Sequence, residues 1–338
     1  MKVCANCFAD KEIKGFISSF QTIGECKICL SSAVHLIDLK ELLDFFQELI
    51  DNFEKSENGE PLRSKIQANW SFFSSQKTAT EILNRILPEI NTEIISSDDL
   101  VEYSTEITDN YNHWETVKEE LKWTKRFFIN IEDLGWDGFF NTQYKLKQSD
   151  RLFRARVHHT SDQPAIDTTN MLSPPRQSTL GGRANPMGIP YLYLSDNEET
   201  VLYEVRASYL DELSIGTFQL KPEFESLKIV DFTEDTSLFQ PRTVRETIMA
   251  RLFRDRISID LSKPMRRYDS EIEYIPTQFI CEFIKVFTGA GGIRFRSSLH
   301  PDGKNIVLFE DSKVNCVSVK KIKITSLRLR AVELKEEL

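Results

Sequence analysis

The sequence predicts an α+β protein whose C-terminal half is built on a mixed sheet, preceded by a zinc knuckle and an all-α domain. Three observations predict it. Cysteines recur as a doubled Cys-x2-Cys near the N-terminus, at Cys4, Cys7, Cys26 and Cys29. Apolar residues then recur at three- and four-residue spacing through three stretches between Leu39 and Phe128, the period of buried helix faces. After Arg151, short apolar or alternating runs bounded by Gly, Pro and Asn are interspersed with longer helical stretches, as in a sheet flanked by helices.

The doubled cysteine motif has a specific chemistry. Each close pair can present two thiolates from one tight turn, and the eighteen-residue spacer returns the second pair to the first. Four soft ligands suit tetrahedral Zn(II) and leave no open position for water, so the predicted site is structural. A redox-active or reduced pair of thiols explains the doubled spacing poorly. The predicted knuckle covers residues 1–33.

Residues 34–147 read as a helical domain. Asp38 with Glu41 forms a capping-box pattern before Leu39, Leu43, Phe46, Ile50 and Phe53, a single buried stripe. The opposite acidic face, with Asp44, Glu48, Asp51 and Glu54, reads as solvated. Thr78-x-x-Glu81 precedes Ile82, Leu83, Ile86 and Leu87, and Trp114, Val117, Leu121 and Phe128 continue the helical spacing. This segment holds no catalytic constellation. RNA-cleaving domains of the HEPN type carry an Arg followed four to six residues later by His, and no such pair occurs here, which argues against ribonuclease activity.

Composition narrows the function further. With 338 residues and 40% hydrophobic content, two or three domains can each bury a core. Residues 1–150 hold 16 Lys and Arg against 26 Asp and Glu, whereas residues 151–338 hold 27 against 26. The acidic first half argues against nucleic-acid binding, because phosphate contacts need basic side chains. The nearly neutral second half keeps enough arginine for one local anion site. No apolar run approaches the ~20 residues that span a bilayer, and no signal peptide is evident. A cytoplasmic protein is expected, with reduced cysteines.

The third region, residues 148–338, changes character. Arg151–Val157 reads as a strand, followed by a loop rich in Ser, Thr, Pro and Gly from His158 to Pro190. Loops of that length are usually functional or mobile. Tyr191–Leu194 reads as a strand, and Ser195-x-x-Glu198 or Asp196-x-x-Glu199 as the cap of a helix carrying Glu204. Strands are expected at 215–220, 227–232, 293–297 and 306–309, with 324–329 closing the sheet. Helices are expected at 242–259 and after Pro276, a good first helical position, and Gly289–Gly292 stops the second. Cys281 and Cys316 sit in apolar surroundings and are poor nucleophiles, and His158 and His159 read as loop residues.

Four separated motifs in this region carry a resemblance: Leu152-Phe153-Arg154; Gly182-Arg183-x-Asn185 with Gly188-x-Pro190-Tyr191-Leu192-Tyr193; Glu204; and Gly292-Ile293-Arg294-Phe295-Arg296-Ser297-Ser298. In order and spacing they resemble the RES domain over roughly 150–312. The resemblance implies an ADP-ribosyltransferase-like fold that degrades or transfers from NAD+, often as the toxin of a toxin–antitoxin pair. The N-terminal half is similar to the HEPN/RES-associated extensions of larger RES proteins.

Each residue so marked fits that chemistry. Cleaving the nicotinamide–ribose bond develops an oxocarbenium-like centre, which the fixed carboxylate of Glu204 can stabilise. Arg154 and Arg183 can neutralise a diphosphate with forked donors. Tyr193, with Tyr191 two residues away on the same strand face, can stack on a base. Ser297 can hydrogen-bond the ribose or carboxamide, with Ser298 an equal candidate, and Asn185 orders the loop. The sequence lacks the Gly-x-Gly-x-x-Gly of a Rossmann turn, so NAD+ is expected as substrate and not as redox cofactor.

The expected function is an NAD+ glycohydrolase acting as a bacterial toxin or anti-phage effector. ADP-ribosyl transfer to a protein or nucleic acid is the second reading, and a non-enzymatic zinc-dependent interaction protein the third. A cognate antitoxin or regulator and a homodimeric partner are expected, with the N-terminal half governing access or oligomerisation, and no membrane partner.

Overall fold

The computed structural model describes residues 1–131, 134–136, 138–234, 236–263 and 271–328. Two compact units divide the chain, one of residues 1–119 with 234–256 and one of 120–233 with 257–338. The segment 234–256, which the sequence places inside the C-terminal domain, thus belongs to the first unit.

In the first unit, β1 (Lys2–Cys4), β2 (Ile23–Gly24) and β3 (Val34–Asp38) form a small antiparallel sheet in the order β1-β3-β2. Helix α1 (Lys11–Ser18) starts at Asp10, whose carboxylate accepts from the amides of Glu12 and Ile13. The same buried carboxylate also accepts from Ser237 Oγ and the amides of Leu238 and Phe239. One acidic side chain therefore caps a helix and holds a strap from distant sequence. Phe8, Phe45, Phe72 and Phe239 pack around this point, with Phe45 and Phe239 centroids 4.8 Å apart. Edge-on and offset aromatic pairs of this kind stabilise a core beyond their buried area.

Helices α2 (Leu43–Ile50), α3 (Leu62–Trp70), α4 (Gln76–Ile86) and α5 (Thr105–Trp123) follow the predicted helical character. The first unit is not all-α, however. Beyond the small sheet, β4 (Phe53–Pro61) pairs antiparallel with β5 (Leu100–Tyr103). The apolar spacing extends through Phe53, but α2 stops after Ile50, where Asn52 Nδ2 turns back to the Glu48 carbonyl. Phe53 then stacks on Tyr103 across the strand pair at 4.9 Å. A side chain of α2's apolar period is thereby used by a strand, which periodicity alone does not distinguish. The cap of α4 is Ser75, in a capping box with Thr78, three residues before the expected one.

The second unit is built on an eight-stranded sheet. Its strands are β6 (Gln143–Lys147), β7 (Leu152–Val157), β8 (Leu192–Ser195), β9 (Glu212–Leu220), β10 (Ser226–Asp231), β11 (Gly292–Arg296), β12 (Lys304–Leu308) and β13 (Val314–Lys323). They lie in the order β13-β9-β7-β8-β12-β11-β10-β6. Only β10 and β11 run parallel, so the sheet is mixed and mainly antiparallel. Leu152, Leu192, Phe218, Ile229, Ile306 and Leu308 fill the core on one face, while Ala155, Val201, Leu213 and Ile215 pack on the other. Helices α6 (Glu198–Glu204) and α8 (Ile275–Phe287) lie wholly in this unit, and α7 (Val244–Ser262) ends in it. The last strand falls at 314–323, earlier than the expected 324–329, because the alternating run that pairs with β9 starts at Val314. Residues 324–328 carry no regular structure, and 329 lies outside the described residues.

One feature of the sheet positions the site. β7 pairs fully with β9, and β8 pairs fully with β12, yet β7 and β8 pair only at Phe153 and Ser195. Beyond that point the two central strands no longer pair with each other.

Candidate functional site

A cleft of about 350 Å³ occupies the parting of the strands. Arg154 and Ala155 of β7 line it, with Tyr193, Leu194 and Ser195 of β8, Val201, Glu204 and Val205 at α6, Arg183 from the long loop, and Phe295, Arg296, Ser298 and Asn305 around β11 and β12. Pockets of this size suit small-molecule ligands. Arg154, Arg183, Tyr193, Glu204 and Ser298, all marked in the sequence, share this one cleft.

Glu204 is the last residue of α6, whose first turn is capped by Asn197 Oδ1 on the amide of Glu199. Arg206, two residues on, takes a left-handed φ of 52° and ends the helical path. The carboxylate is held from the adjoining strands. Ser297 Oγ and Asn305 Nδ2 each donate to Glu204 Oε1 at 2.7 Å. Asn305 Oδ1 in turn accepts from the buried Ser195 Oγ at 2.7 Å, and Ser297 Oγ accepts from the amides of Leu299 and His300. Both donors use one oxygen, so Oε2 has no hydrogen-bond partner among the described residues. An oriented carboxylate with one oxygen anchored and one free can accept from a hydroxyl or stabilise positive charge.

The arginines are anchored in the same way. Arg154 Nη1 donates to the carbonyls of Met171 (3.1 Å) and Leu172 (2.8 Å), and Arg156 Nη2 also reaches Leu172 (3.0 Å). Burial, then the neighbouring Arg156, lowers Arg154 to about 10, which still leaves it charged at neutral pH. Arg183 Nη1 donates to the Leu261 carbonyl, burial lowers its pKa, and the Glu204 carboxylate acts against that shift. Each guanidinium spends one nitrogen on backbone carbonyls, and Nε and Nη2 of both have no hydrogen-bond acceptor among the described residues. Such forks can bind a phosphate or diphosphate.

Tyr193 plays a part beyond its ring. Its hydroxyl donates to Asn185 Oδ1 (2.7 Å) and accepts from the Ala184 amide (3.0 Å). Asn185 Nδ2 donates to the carbonyls of Leu180, Pro186 and Ile189, so one buried amide knots the turn that carries Arg183. Gly182 is required there, since a Cβ would collide with Asn185 Oδ1 and the Tyr193 hydroxyl. Tyr191 is not part of this arrangement. It precedes β8, so the strand pleat does not carry it to the face of Tyr193. Its buried ring packs on Phe309 at 5.0 Å, with Lys285 Nζ 5.4 Å from the ring centroid. Ser298 lines the cleft, whereas Ser297 touches Glu204.

Asn305, Arg296, Ser195 and Ser262 also line the cleft, and the sequence by itself gives none of them a role in the site. Asn305 is a lone polar residue in an apolar strand, and only the pairing of β12 with β8 brings it beside Ser195. Arg296 lines the cleft and donates to the Thr233 carbonyl at 3.1 Å. His158 binds Ser214 Oγ at 2.8 Å, outside the cleft. Burial pushes the Cys281 and Cys316 thiols up, which makes both poor nucleophiles.

In the first unit, the sulfurs of Cys4, Cys7, Cys26 and Cys29 lie within 4.8 Å of one another. Cys4 and Cys29 sulfurs are 3.4 Å apart, and those of Cys7 and Cys26 3.5 Å. Tetrahedral ligation with metal–sulfur bonds of about 2.3 Å needs sulfurs about 3.8 Å apart, so the four residues fit and could hold a metal ion. Burial pushes Cys4 up to about 12 and raises Cys7 as well. A divalent cation reverses that tendency by supplying the charge that deprotonated thiols need.

A family model described as RES domain matches residues 151–330, which include the whole cleft. No curated protein and no solved structure matches the chain. No helix among the described residues is long and apolar enough to cross a membrane.

Proposed function

The chain belongs to the RES domain family, and from that premise we propose that it cleaves the nicotinamide–ribose bond of NAD+ as a glycohydrolase. RES domains are associated with NAD+-related toxin activity, and the cleft chemistry agrees with a dinucleotide substrate. The observation that carries the reading is the convergence of Arg154, Arg183 and Glu204 on one cleft, with Oε2 of Glu204 unpaired.

On this reading Arg154 and Arg183 hold the diphosphate through their free nitrogens, and the ring of Tyr193 flanks a base. Glu204 Oε2 accepts from a hydroxyl of the nicotinamide ribose, while Ser297 and Asn305 fix Oε1. As the C1′–N bond breaks, nicotinamide leaves with the bonding electron pair and the ribose gains oxocarbenium character. The adjacent carboxylate stabilises that charge. A water oxygen then bonds to C1′ and releases one proton to solvent, producing ADP-ribose. The mixed, mainly antiparallel sheet with its parted central strands suits the ADP-ribosyltransferase-like fold that the RES resemblance implies.

In the first unit the four thiolates would hold a structural Zn(II), closing residues 1–33 on themselves by joining Cys4 and Cys7 to Cys26 and Cys29. We place the protein in the cytoplasm as a toxin or anti-phage effector that depletes NAD+, with a cognate antitoxin or regulator and a homodimeric state as its partners.

Incubation of the purified protein with NAD+, with separation of products, tests the activity. Free nicotinamide and ADP-ribose in equal amounts support hydrolysis. Nicotinamide with labelled macromolecule supports ADP-ribosyl transfer instead. If wild type and Glu204→Ala both leave NAD+ intact, in vitro and without toxicity in cells, the enzymatic reading fails and a non-enzymatic interaction role takes its place.

A further inference from the structure

Glu204 stands at the end of a seven-residue helix, and a helix end of that kind frays unless something outside it holds it. One of its two holders, Ser297, opens the loop 297–303 between β11 and β12. That loop is closed on itself by Ser297 N to the Gly303 carbonyl (2.9 Å) and Gly303 N to the His300 carbonyl (3.0 Å). Internal closure shapes the loop but does not fasten it to α6. His300 supplies the fastening. Its Nδ1 lies 2.8 Å from Oγ1 of Thr200, a fully buried residue four positions before Glu204 and so on the same face of α6. Its ring stacks on Tyr203, next to Glu204, with centroids 5.1 Å apart and planes 8° from parallel. Gly303 lies so close that a Cβ there would collide with the Thr200 side chain and His300 Nδ1.

We propose that His300 is a positioning residue for the reaction, setting the Glu204 carboxylate through its hydrogen bond to Thr200. Without that bond, Ser297 is the loop's remaining side-chain hydrogen bond to α6, and any loop motion passes directly into the Glu204 hydrogen bond. A carboxylate that must meet charge developing at the ribose loses effect when its orientation is spread. The diphosphate grip of Arg154 and Arg183 does not pass through this loop, so substrate affinity depends on it less than turnover does. The inference rests on the NAD+-cleaving reading of the same cleft.

The test compares wild type with His300→Ala, His300→Asn and Thr200→Val in steady-state NAD+ hydrolysis, each variant checked by thermal unfolding. His300→Ala is expected to lower kcat about tenfold or more, with KM within about threefold of wild type. Asparagine, whose amide occupies the place of Nδ1, restores kcat to within about threefold, whereas Thr200→Val, isosteric and without the hydroxyl, reproduces the alanine loss. The double variant is no slower than either single one, because both remove one interaction. Wild-type kcat in His300→Ala, or failure of His300→Asn to restore it, overturns the proposal. Should wild type itself cleave no NAD+, the glycohydrolase reading falls, and a crystal structure of His300→Ala decides the positioning role by itself. A Ser297 Oγ to Glu204 Oε1 distance beyond about 3.5 Å supports it, and an unchanged contact overturns it.

Discussion

Ser297 Oγ donates to Glu204 Oε1 at 2.7 Å while accepting two backbone amides, from Leu299 and His300. The hydroxyl is therefore fixed at both ends, and its proton has one direction to point. Of the two adjacent serines marked in the sequence, only Ser297 is in this position. Ser297→Ala is expected to reduce kcat for NAD+ cleavage roughly 10–100-fold, the effect of one charge-assisted hydrogen bond in a transition state. Ser298→Ala, which leaves the carboxylate anchored, is expected to change kcat less than Ser297→Ala does. Equal losses for the two would sink this assignment of roles.

Arg183 offers a different test, because the role proposed for it is binding the diphosphate. Lysine keeps the charge but cannot reach the Leu261 carbonyl and a phosphate together in a planar fork. Arg183→Lys is expected to raise KM for NAD+ about tenfold with a smaller change in kcat, and isothermal titration of the inactive Glu204→Ala background with NAD+ would read the same loss as affinity. A drop in kcat at unchanged KM would mean that Arg183 acts on the reacting centre instead.

Much of this site was legible before folding, and the rest has identifiable physical reasons for being hidden. Arg154, Arg183 and Glu204 stood out because their motifs kept order and spacing, although only the parting of β7 from β8 explains why they converge. Asn305 was invisible since its role depends on strand pairing with Ser195, more than a hundred residues away in sequence. Tyr191 lies one residue before the strand, so two-residue alternation does not place it with Tyr193. In the first unit, Phe53 continued a helical period into what is a strand, and the strap 237–239 gave no signal that it would be held by Asp10. The cysteine cluster, by contrast, was set by local spacing alone.

Tyr144 makes a pH prediction. Burial first, and then the Asp150 carboxylate that accepts a hydrogen bond from its hydroxyl at 2.8 Å, push the phenol from 10.0 to about 12. The folded state thus keeps a proton that the unfolded chain releases near pH 10. Stability contributed by this group is fully present below that pH and is lost as pH rises from about 10 towards 12. Tyr144→Phe is expected to be less stable than wild type at pH 8, with the difference shrinking by pH 11. A difference in thermal midpoint that stays constant over that range would contradict the assignment.

The cysteine cluster gives the cheapest prediction and the one most separate from the enzyme. If its sulfurs hold zinc, the purified protein carries about one equivalent, because four thiolates complete a tetrahedral shell. Cys7 and Cys26 are fully buried in the core of the first unit, beside Ile13, Ile17 and Phe8. Cys7→Ser is expected to lower zinc content well below one equivalent and to lower the thermal midpoint of that unit, since metal binding contributes directly to folding of such modules. Cys281→Ser, a buried thiol remote in sequence from the cluster, is expected to leave zinc content unchanged. Metal analysis by plasma emission, paired with chelator titration followed by circular dichroism, checks both. A protein that holds no zinc after purification in metal-sufficient medium, yet melts at the same temperature as its Cys7→Ser variant, would show that these four thiols pack without a metal.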